Sequence, residues 1–432
     1  MLVDELLKVP QRVTQVGRAL RHRNFRLFFS GQIVSLVGSW LSTVATSWLV
    51  YKLCRNSMPD QATAMLGFVA FASQIPIFII VPFAGVWVDR WNKRSILILT
   101  QTASMLQSFA LAYLTLAGHI TITQVLFLCV VQGIINSFDM PARQSYVVEM
   151  VDDKRDLGNA IALNSSMVHT ARLLGPSIAG VLISTVGEGY CFLVDGFSYA
   201  AVLTSLFFIR TPKREAVQHK AAIEQLKEGF RYAWGFPPAR ALLLLVATAS
   251  LMFTSQSVLM PVIADKVLHG DEKTLGFLLG ASGLGALTGS LYLASRESIV
   301  GLGRVILRAA TVLGIGLFCF GFSRSLYLCA PILMIAGSST VLLMASSNTI
   351  LQTIVDDDKR GRIMSLFSMA FMGTAPFGAL LSGYLASWIG APNTFILCGL
   401  VCLLSAWFFK RKLPGIASHV RPIYVSKGIL SA

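Results

Sequence analysis

The chain has 432 residues, of which 54% are hydrophobic and 13% charged, and its formal net charge is +15. A soluble domain carries about 25% charged residues, so a water-soluble fold is excluded: it would leave far too much apolar surface in water. The basic excess lies in short gaps between long apolar runs, which fits the charge bias of membrane topology and argues against a nucleic-acid partner.

A helix needs roughly 20 apolar residues to cross a bilayer, and runs of that length recur from end to end. Residues 1–26 are mixed and polar, with no apolar core ahead of a small-residue cleavage site, and read as a cytoplasmic segment rather than a signal peptide. Six spans follow, with cores near 27–51, 64–87, 95–117, 121–141, 159–186 and 190–209. Residues 210–240 form a polar linker that holds AAIEQLKEGFRYAW, in which Ile223, Leu226, Phe230 and Trp234 share one face at helical spacing and Lys220, Lys227 and Arg231 carry the charge. Six more spans have cores near 241–264, 274–294, 303–322, 326–349, 363–388 and 393–409, and residues 410–432 read as a tail. In hydrocarbon every backbone amide must be paired within the chain, and these runs do not alternate as barrel strands do, so the spans are helices. The expectation is an all-α polytopic membrane protein with an N-terminal six-helix bundle (27–209) and a C-terminal one (241–409).

The gaps that share a side with the two termini hold most of the Lys and Arg: RHRNFR, DRWNKR, RTPKR, DDDKRGR and KRK. The opposite gaps hold Lys52, Arg55, Lys266, Lys273 and Arg324. Both termini are therefore expected in the cytoplasm. The seven cysteines are scattered, with no CxxC, so disulfides and metal sites are not expected. No hydrolase, zinc-protease or Walker motif is present, so neither an enzyme nor a cofactor is expected, and transport would draw on a gradient.

Span five is the most informative helix. Ser165, His169, Arg172 and Pro176 follow one another at steps of four, three and four, which places them on one face. Arg172 lies mid-membrane and must face protein or a wet cavity. Three roles stay open for it: binding an anionic or carbonyl-rich solute, pairing with a carboxylate during transport, or a permanent ion pair. His169 either contacts solute or is a neutral packing residue. Asp139, Asp195 and Glu149 are the candidate proton carriers, because acidic groups inside a membrane mark proton relays. Gln32 and Trp40 in span one, Gln256 in span seven and Asn348 in span ten are polar or aromatic candidates for a solute cavity; packing between helices is the alternative. Pro76, Pro82 and Pro376 are expected to bend their helices.

The halves echo each other. YVVEMVDDKRDLGNAIAL resembles LQTIVDDDKRGRIMSL, and GPSIAG at 175–180 has a counterpart in GALLSG at 378–383. Internal repeats of this kind occur in transporter folds.

The stretch GVWVDRWNKR carries a more specific pattern. Gly85, Asp89, Arg90, Lys93 and Arg94 resemble the cytoplasmic loop signature between helices two and three of major facilitator superfamily transporters, with Asn92 where the family has glycine. The second-half counterpart, GSLYLASRESIVGLGR, lacks the aspartate. ARLLGPSIAG, with Gly175 and Pro176, resembles the Gly-Pro motif of helix five in exporters of the superfamily. HRNFRLFFSGQIVSLVGSW, Asp139–Met140–Pro141 and FLVDGFSYA resemble the enterobactin-exporter-like branch, and the likeness covers residues 20–409.

The resemblance implies the major facilitator fold, alternating access and a gating role for Gly85, Asp89, Arg90, Lys93, Arg94, Gly175 and Pro176. It also implies that spans one, four, seven and ten face the central cavity while three, six, nine and twelve lie outside. On that arrangement Asp195 is the structural carboxylate and Asp139 the moving one. The function it implies is secondary active export of a small amphipathic molecule, siderophore-like or drug-like, by proton antiport across a bacterial inner membrane. The expected partners are the solute, protons and membrane lipids, with the protein a monomer. A lysophospholipid transporter and a non-transporting receptor or assembly subunit are the alternatives.

Overall fold

The computed structural model describes residues 17–151, 153–209, 222–296 and 298–427, without the side chains of 82, 85, 86, 89, 90, 154, 169, 222–227, 357 and 358. Twelve helices among the described residues are long and apolar enough to span a membrane. The protein is an all-α polytopic membrane protein with two helical bundles. The first comprises α1 (Arg23–Ser57), α2 (Ala62–Arg90), α3 (Lys93–Leu116), α4 (Ile122–Glu149), α5 (Leu157–Val186) and α6 (Glu188–Phe208). The linker supplies α7 (Ala222–Gly235), which carries the stacked pair Phe230–Trp234. The second bundle comprises α8 (Pro237–Val262), α9 (Glu272–Ala294), α10 (Leu302–Phe322), α11 (Leu326–Ile354), α12 (Asp357–Ser368) with α13 (Ala375–Ile389), and α14 (Ala391–Ser426).

Two details differ from expectation. The last helix does not stop near 409 but continues to Ser426, with Arg411 stacked on Trp407 and Val420 and Tyr424 buried. Span eleven is two helices joined by a π-helical turn, Met369–Gly373. Pro376 has no N–H to offer the turn before it. A freed backbone carbonyl within a membrane needs another donor, and Ser250 of α8 donates to the carbonyl of Phe371. By contrast α2 is one helix through Pro76.

The halves meet at the end opposite the termini. There α5 crosses α9 at Gly180 and Gly276, and α2 crosses α13 at Gly67 and Gly383. A Cβ on Gly180 would lie 2.9 Å from the Cα of Gly276, and one on Gly67 would lie 2.8 Å from the Cα of Gly383. Small residues are what let helix backbones approach this closely in lipid. The repeat seen in the sequence has its meaning here. Gly180 and Gly383 are equivalent residues of GPSIAG and GALLSG, and each meets the other half. Gly175 and Gly378, the other ends of the same motifs, press within their own halves on Trp40 of α1 and on Leu251 of α8.

The buried core divides accordingly. One cluster joins the far end of the first half, including Leu49, Val50 and Leu66, to the second half. Phe25, Phe28, Val88, Leu97, Tyr146 and Leu206 form a separate cluster at the terminal end of the first half.

Gly180→Ala and Gly383→Ala are expected to destabilise the protein by about 1–3 kcal/mol, because added atoms overpack a backbone contact. Gly415→Ala, where a Cβ meets open space, serves as control. Melting temperatures in detergent give the comparison, and equal values for all three variants would contradict the closure.

Candidate functional site

Between the halves lies a cavity of about 320 Å³. Its walls come from α1 (Trp40), α2 (Gln74, Ile77), α5 (Arg172, Pro176), α8 (Ser250, Phe253, Thr254, Gln256, Ser257), α9 (Leu279, Ser282), α11 (Thr340, Met344) and the broken helix (Phe371, Met372, Ala375). Arg172 is half-buried on this wall, and its guanidinium carbon sits 5.9 Å from the centre of the Trp40 ring. A guanidinium over an indole face is attracted by the ring quadrupole. No carboxylate among the described residues pairs with it. The cavity thus has a cation at one wall, apolar and sulfur-bearing surface from Phe253, Phe371, Met344 and Met372, and a few hydroxyls. Gln256 Oε1 and Ser282 Oγ are buried there without hydrogen-bond partners.

A second cavity of about 380 Å³ lies mostly within the first half. It is lined by Ser39, Ser42, Thr43, Thr46 and Ser47 of α1, by Ser73 and Gln74 of α2, and by Gln107, Gln132, Asn136, Asp195 and Tyr199 of α3, α4 and α6. Gln74, Ile77 and Ser257 line both cavities, so the two adjoin.

The sequence candidates sort as follows. Arg172, Trp40, Pro176 and Gln256 come together at the first cavity, and Asp195 lines the second. Gly175 lets Trp40 close on α5: a Cβ there would lie 2.3 Å from that of Trp40. Gln32 is buried and lines neither cavity. Asn348 accepts a hydrogen bond from Gln352 on its own helix, 3.0 Å away, and also lines neither.

The acidic residues sit in contrasting surroundings. Asp139 is held off the cavities by Thr100 (2.9 Å), Gln101 (2.8 Å) and Arg143 (3.8 Å). Asp195 accepts from Ser108 at 2.7 Å through Oδ2, while Oδ1 has no partner. The family arrangement made span six peripheral and Asp139 the mobile acid; the structure brings Asp195, not Asp139, to a cavity wall. Gly38 lets α6 pack closely on α1: a Cβ there would lie 2.9 Å from the Cβ of Ser198 and 3.0 Å from Asp195 Oδ1.

At the terminal end Glu149 pairs with Lys93 at 2.6 Å. Arg94 donates to the carbonyls of Leu206 and Phe207 at 2.8 and 3.0 Å, capping the C-terminal end of α6. The side chains of Asp89, Arg90 and His169 lie outside the described residues, and Gly85 falls within α2.

Sequence reasoning missed the polar fastening on the far side. Trp48 Nε1 donates to Glu272 at 3.0 Å, Tyr51 Oη to Asp265 at 2.5 Å, and Arg55 to Asp265 at 2.8 Å. All three link α1 to the second half. Asp265 stands on a π-helical turn, Ile263–Val267, just after Pro261. The visible signal was Trp48, Tyr51 and Arg55 at steps of three and four, facing a gap that holds three acids, Asp265, Asp271 and Glu272. On the terminal side the first half's ion pairs, Lys93–Glu149 and Asp156 with Arg18 and His22, stay within that half. The second half and linker behave likewise, with Arg362 on Glu228 at 2.8 Å.

Two pseudo-equivalent bundles around a midplane cavity, fastened on one side, define a secondary transporter that works by alternating access. Residues 17–422 match the family of transmembrane secretion effectors, and the chain belongs to that family, within the major facilitator superfamily. It is 25% identical to the staphyloferrin A transporter of Staphylococcus aureus over 90% of this chain and 96% of that protein. It is 27% identical to the multidrug efflux pump Tap of Mycolicibacterium fortuitum over 85% of this chain and 90% of the relative. Among solved structures it resembles a bacterial homologue of the human lysosomal transporter Spinster in an inward-facing, unoccupied conformation. That match has a TM-score of 0.68 at 15% identity and covers 92% of this chain and 98% of the other. A D-xylose–proton symporter matches with a TM-score of 0.69 at 15% identity, covering 88% and 97%. The protein is a bacterial multi-pass transporter rather than an enzyme, related to siderophore and multidrug efflux proteins.

Asp265→Asn weakens both the Tyr51 and Arg55 contacts. Arg55 is over half exposed, which discounts its share, so the far-side closure should weaken by about 1–3 kcal/mol in total. Spin labels at Met58 and Leu268 should then show a population at longer distance; an unchanged distribution would remove Asp265 from the fastening.

Proposed function

We propose that the protein exports a small amphipathic solute bearing an anionic or carbonyl-rich group from the cytoplasm, in exchange for protons. The carrying observation is Arg172: a guanidinium on the wall of the inter-half cavity, stacked on Trp40 and without a carboxylate partner among the described residues. A cation held inside a membrane protein without a counter-charge is costly. A bound anion offsets that cost, and the aromatic and methionine walls accept the solute's apolar part. The Lys and Arg bias supports cytoplasmic termini and an inner-membrane location. On that orientation the contacts of Trp48, Tyr51 and Arg55 with the second half lie on the outer side, which supports loading from the cytoplasm.

Asp195 is our candidate for proton exchange, since it alone among the three acidic candidates lines either of the two cavities described above. Asp139 and Glu149 are engaged by partners on neighbouring helices and read as structural. Lys93 and Arg94 brace the terminal ends of α4 and α6, and the loop signature of Gly85, Asp89 and Arg90 supports gating there. The two named relatives, a siderophore transporter and a multidrug pump, support a siderophore-like or drug-like cargo. They favour that broader class over the enterobactin-exporter-like branch alone.

Everted membrane vesicles should accumulate the anionic amphiphile Nα-dansyl-norleucine when the lumen is acidic. Arg172→Gln should lower uptake at least ~10-fold, the scale of one charge-assisted contact. Nigericin, which collapses the pH gradient, should abolish it. Uptake unaffected by either change would sink the proposal; uptake lost in Arg172→Gln but indifferent to nigericin would sink the proton coupling alone.

A further inference from the structure

The polar cavity beside Asp195 is larger than a proton site requires. A proton needs one carboxylate and a water path. This cavity holds about 380 Å³ and is walled by hydroxyls and amides from five helices of the first half and by Ser257 and Val258 of α8. Two acceptors of this wall are buried without a hydrogen-bond donor: Asp195 Oδ1, on a side chain only 2% exposed, and Gln132 Oε1. Buried acceptors left unmatched are costly, and both side chains line the cavity, so a rotation that turned either oxygen inward would offer it to a donor-bearing group. The amide nitrogen of Gln132 donates to Ser104 and Asn136, each at 3.1 Å, so its oxygen is the group left to accept. Ser108 donates to the other carboxylate oxygen and fixes the group in place. No described Lys or Arg lines the cavity.

The neighbouring cavity presents the opposite charge. Arg172 lies on its wall, and Gln74, Ile77 and Ser257 are common to both spaces. The two cavities therefore form one site with an acidic, hydroxyl-rich lobe and a basic, aromatic lobe.

We infer that the solute is zwitterionic: an ammonium or similar hydrogen-bond-rich cation sits at Asp195 and Gln132, while the anionic end meets Arg172. This rests on the proposed anion site and adds the second pole. It also gives proton exchange a physical form. One carboxylate cannot hold the ammonium and an added proton together, so loading of the cationic end and protonation compete for Asp195.

Three matched probes isolate the poles: Nα-dansyl-lysine carries both charges, Nα-dansyl-lysinamide only the ammonium, and Nα-dansyl-norleucine only the carboxylate. Binding to purified full-length protein in lipid nanodiscs is read by dansyl fluorescence. The wild type should bind the lysine probe at least ~10-fold more tightly than either single-charge probe. Asp195→Asn should make the lysine and norleucine probes equal, with norleucine binding retained as evidence of folding. Arg172→Gln should make the lysine and lysinamide probes equal. Wild-type protein that binds the norleucine and lysine probes alike, still dependent on Arg172, would overturn the zwitterion inference and leave the anion site standing. Binding of none of the three would overturn both.

Discussion

Two backbone contacts govern this architecture. Gly180 on Gly276 and Gly67 on Gly383 bring the halves together without side chains between them. Apolar side chains gain nothing by leaving lipid for each other, so close backbone packing is what helix association in a bilayer can use. The contacts lie toward the far ends of their helices. The α5–α9 seam continues inward to Gly283, where a Cβ would lie 2.8 Å from the Cα of Leu173, and the cavity walled by Arg172 lies beside it. The far-side polar bonds from Trp48, Tyr51 and Arg55 to Glu272 and Asp265 add direction to a closure that the glycines make geometrically possible.

The same helices that close the far side build the site. On α5, Gly180 meets the second half, Gly175 admits Trp40, and Arg172 stands one further turn along, under the indole. On α1, Gly38 lets α6 pack closely, while Ser39, Thr43 and Thr46 line the polar lobe. Rocking α1 and α5 against α8 and α9 would alter the far-side seam and the lobes together. Linkage between cargo and conformation then needs no separate relay, because the groups that close the far side and the groups that line the cavities share helices.

The broken helix before Pro376 adds a local device. Its π-helical turn places Phe371 and Met372 on the cavity wall and leaves backbone carbonyls to be bonded by α8, as Ser250 does. Irregular backbone at membrane depth is tolerated where it is buried in protein or borders a cavity, and both conditions hold here.

Much of this was legible in the sequence. Composition and the length of the apolar runs determined twelve membrane helices in two sets of six, because hydrocarbon allows few other ways to pair a backbone. The GPSIAG and GALLSG repeat marked the equivalent seams, and one-face spacing singled out Arg172 and Pro176. What sequence could not decide was which polar residue meets which. Asp139 and Asp195 are both acids in apolar helices, yet Thr100, Gln101 and Arg143 surround one while the other lines a cavity. Gln32 and Gln256 read alike as glutamines among apolar neighbours, but only Gln256 reaches the inter-half cavity. Helical periodicity tells which residues share a face; the rotation of each helix against its neighbours, set by packing between residues far apart in the chain, decides what that face sees.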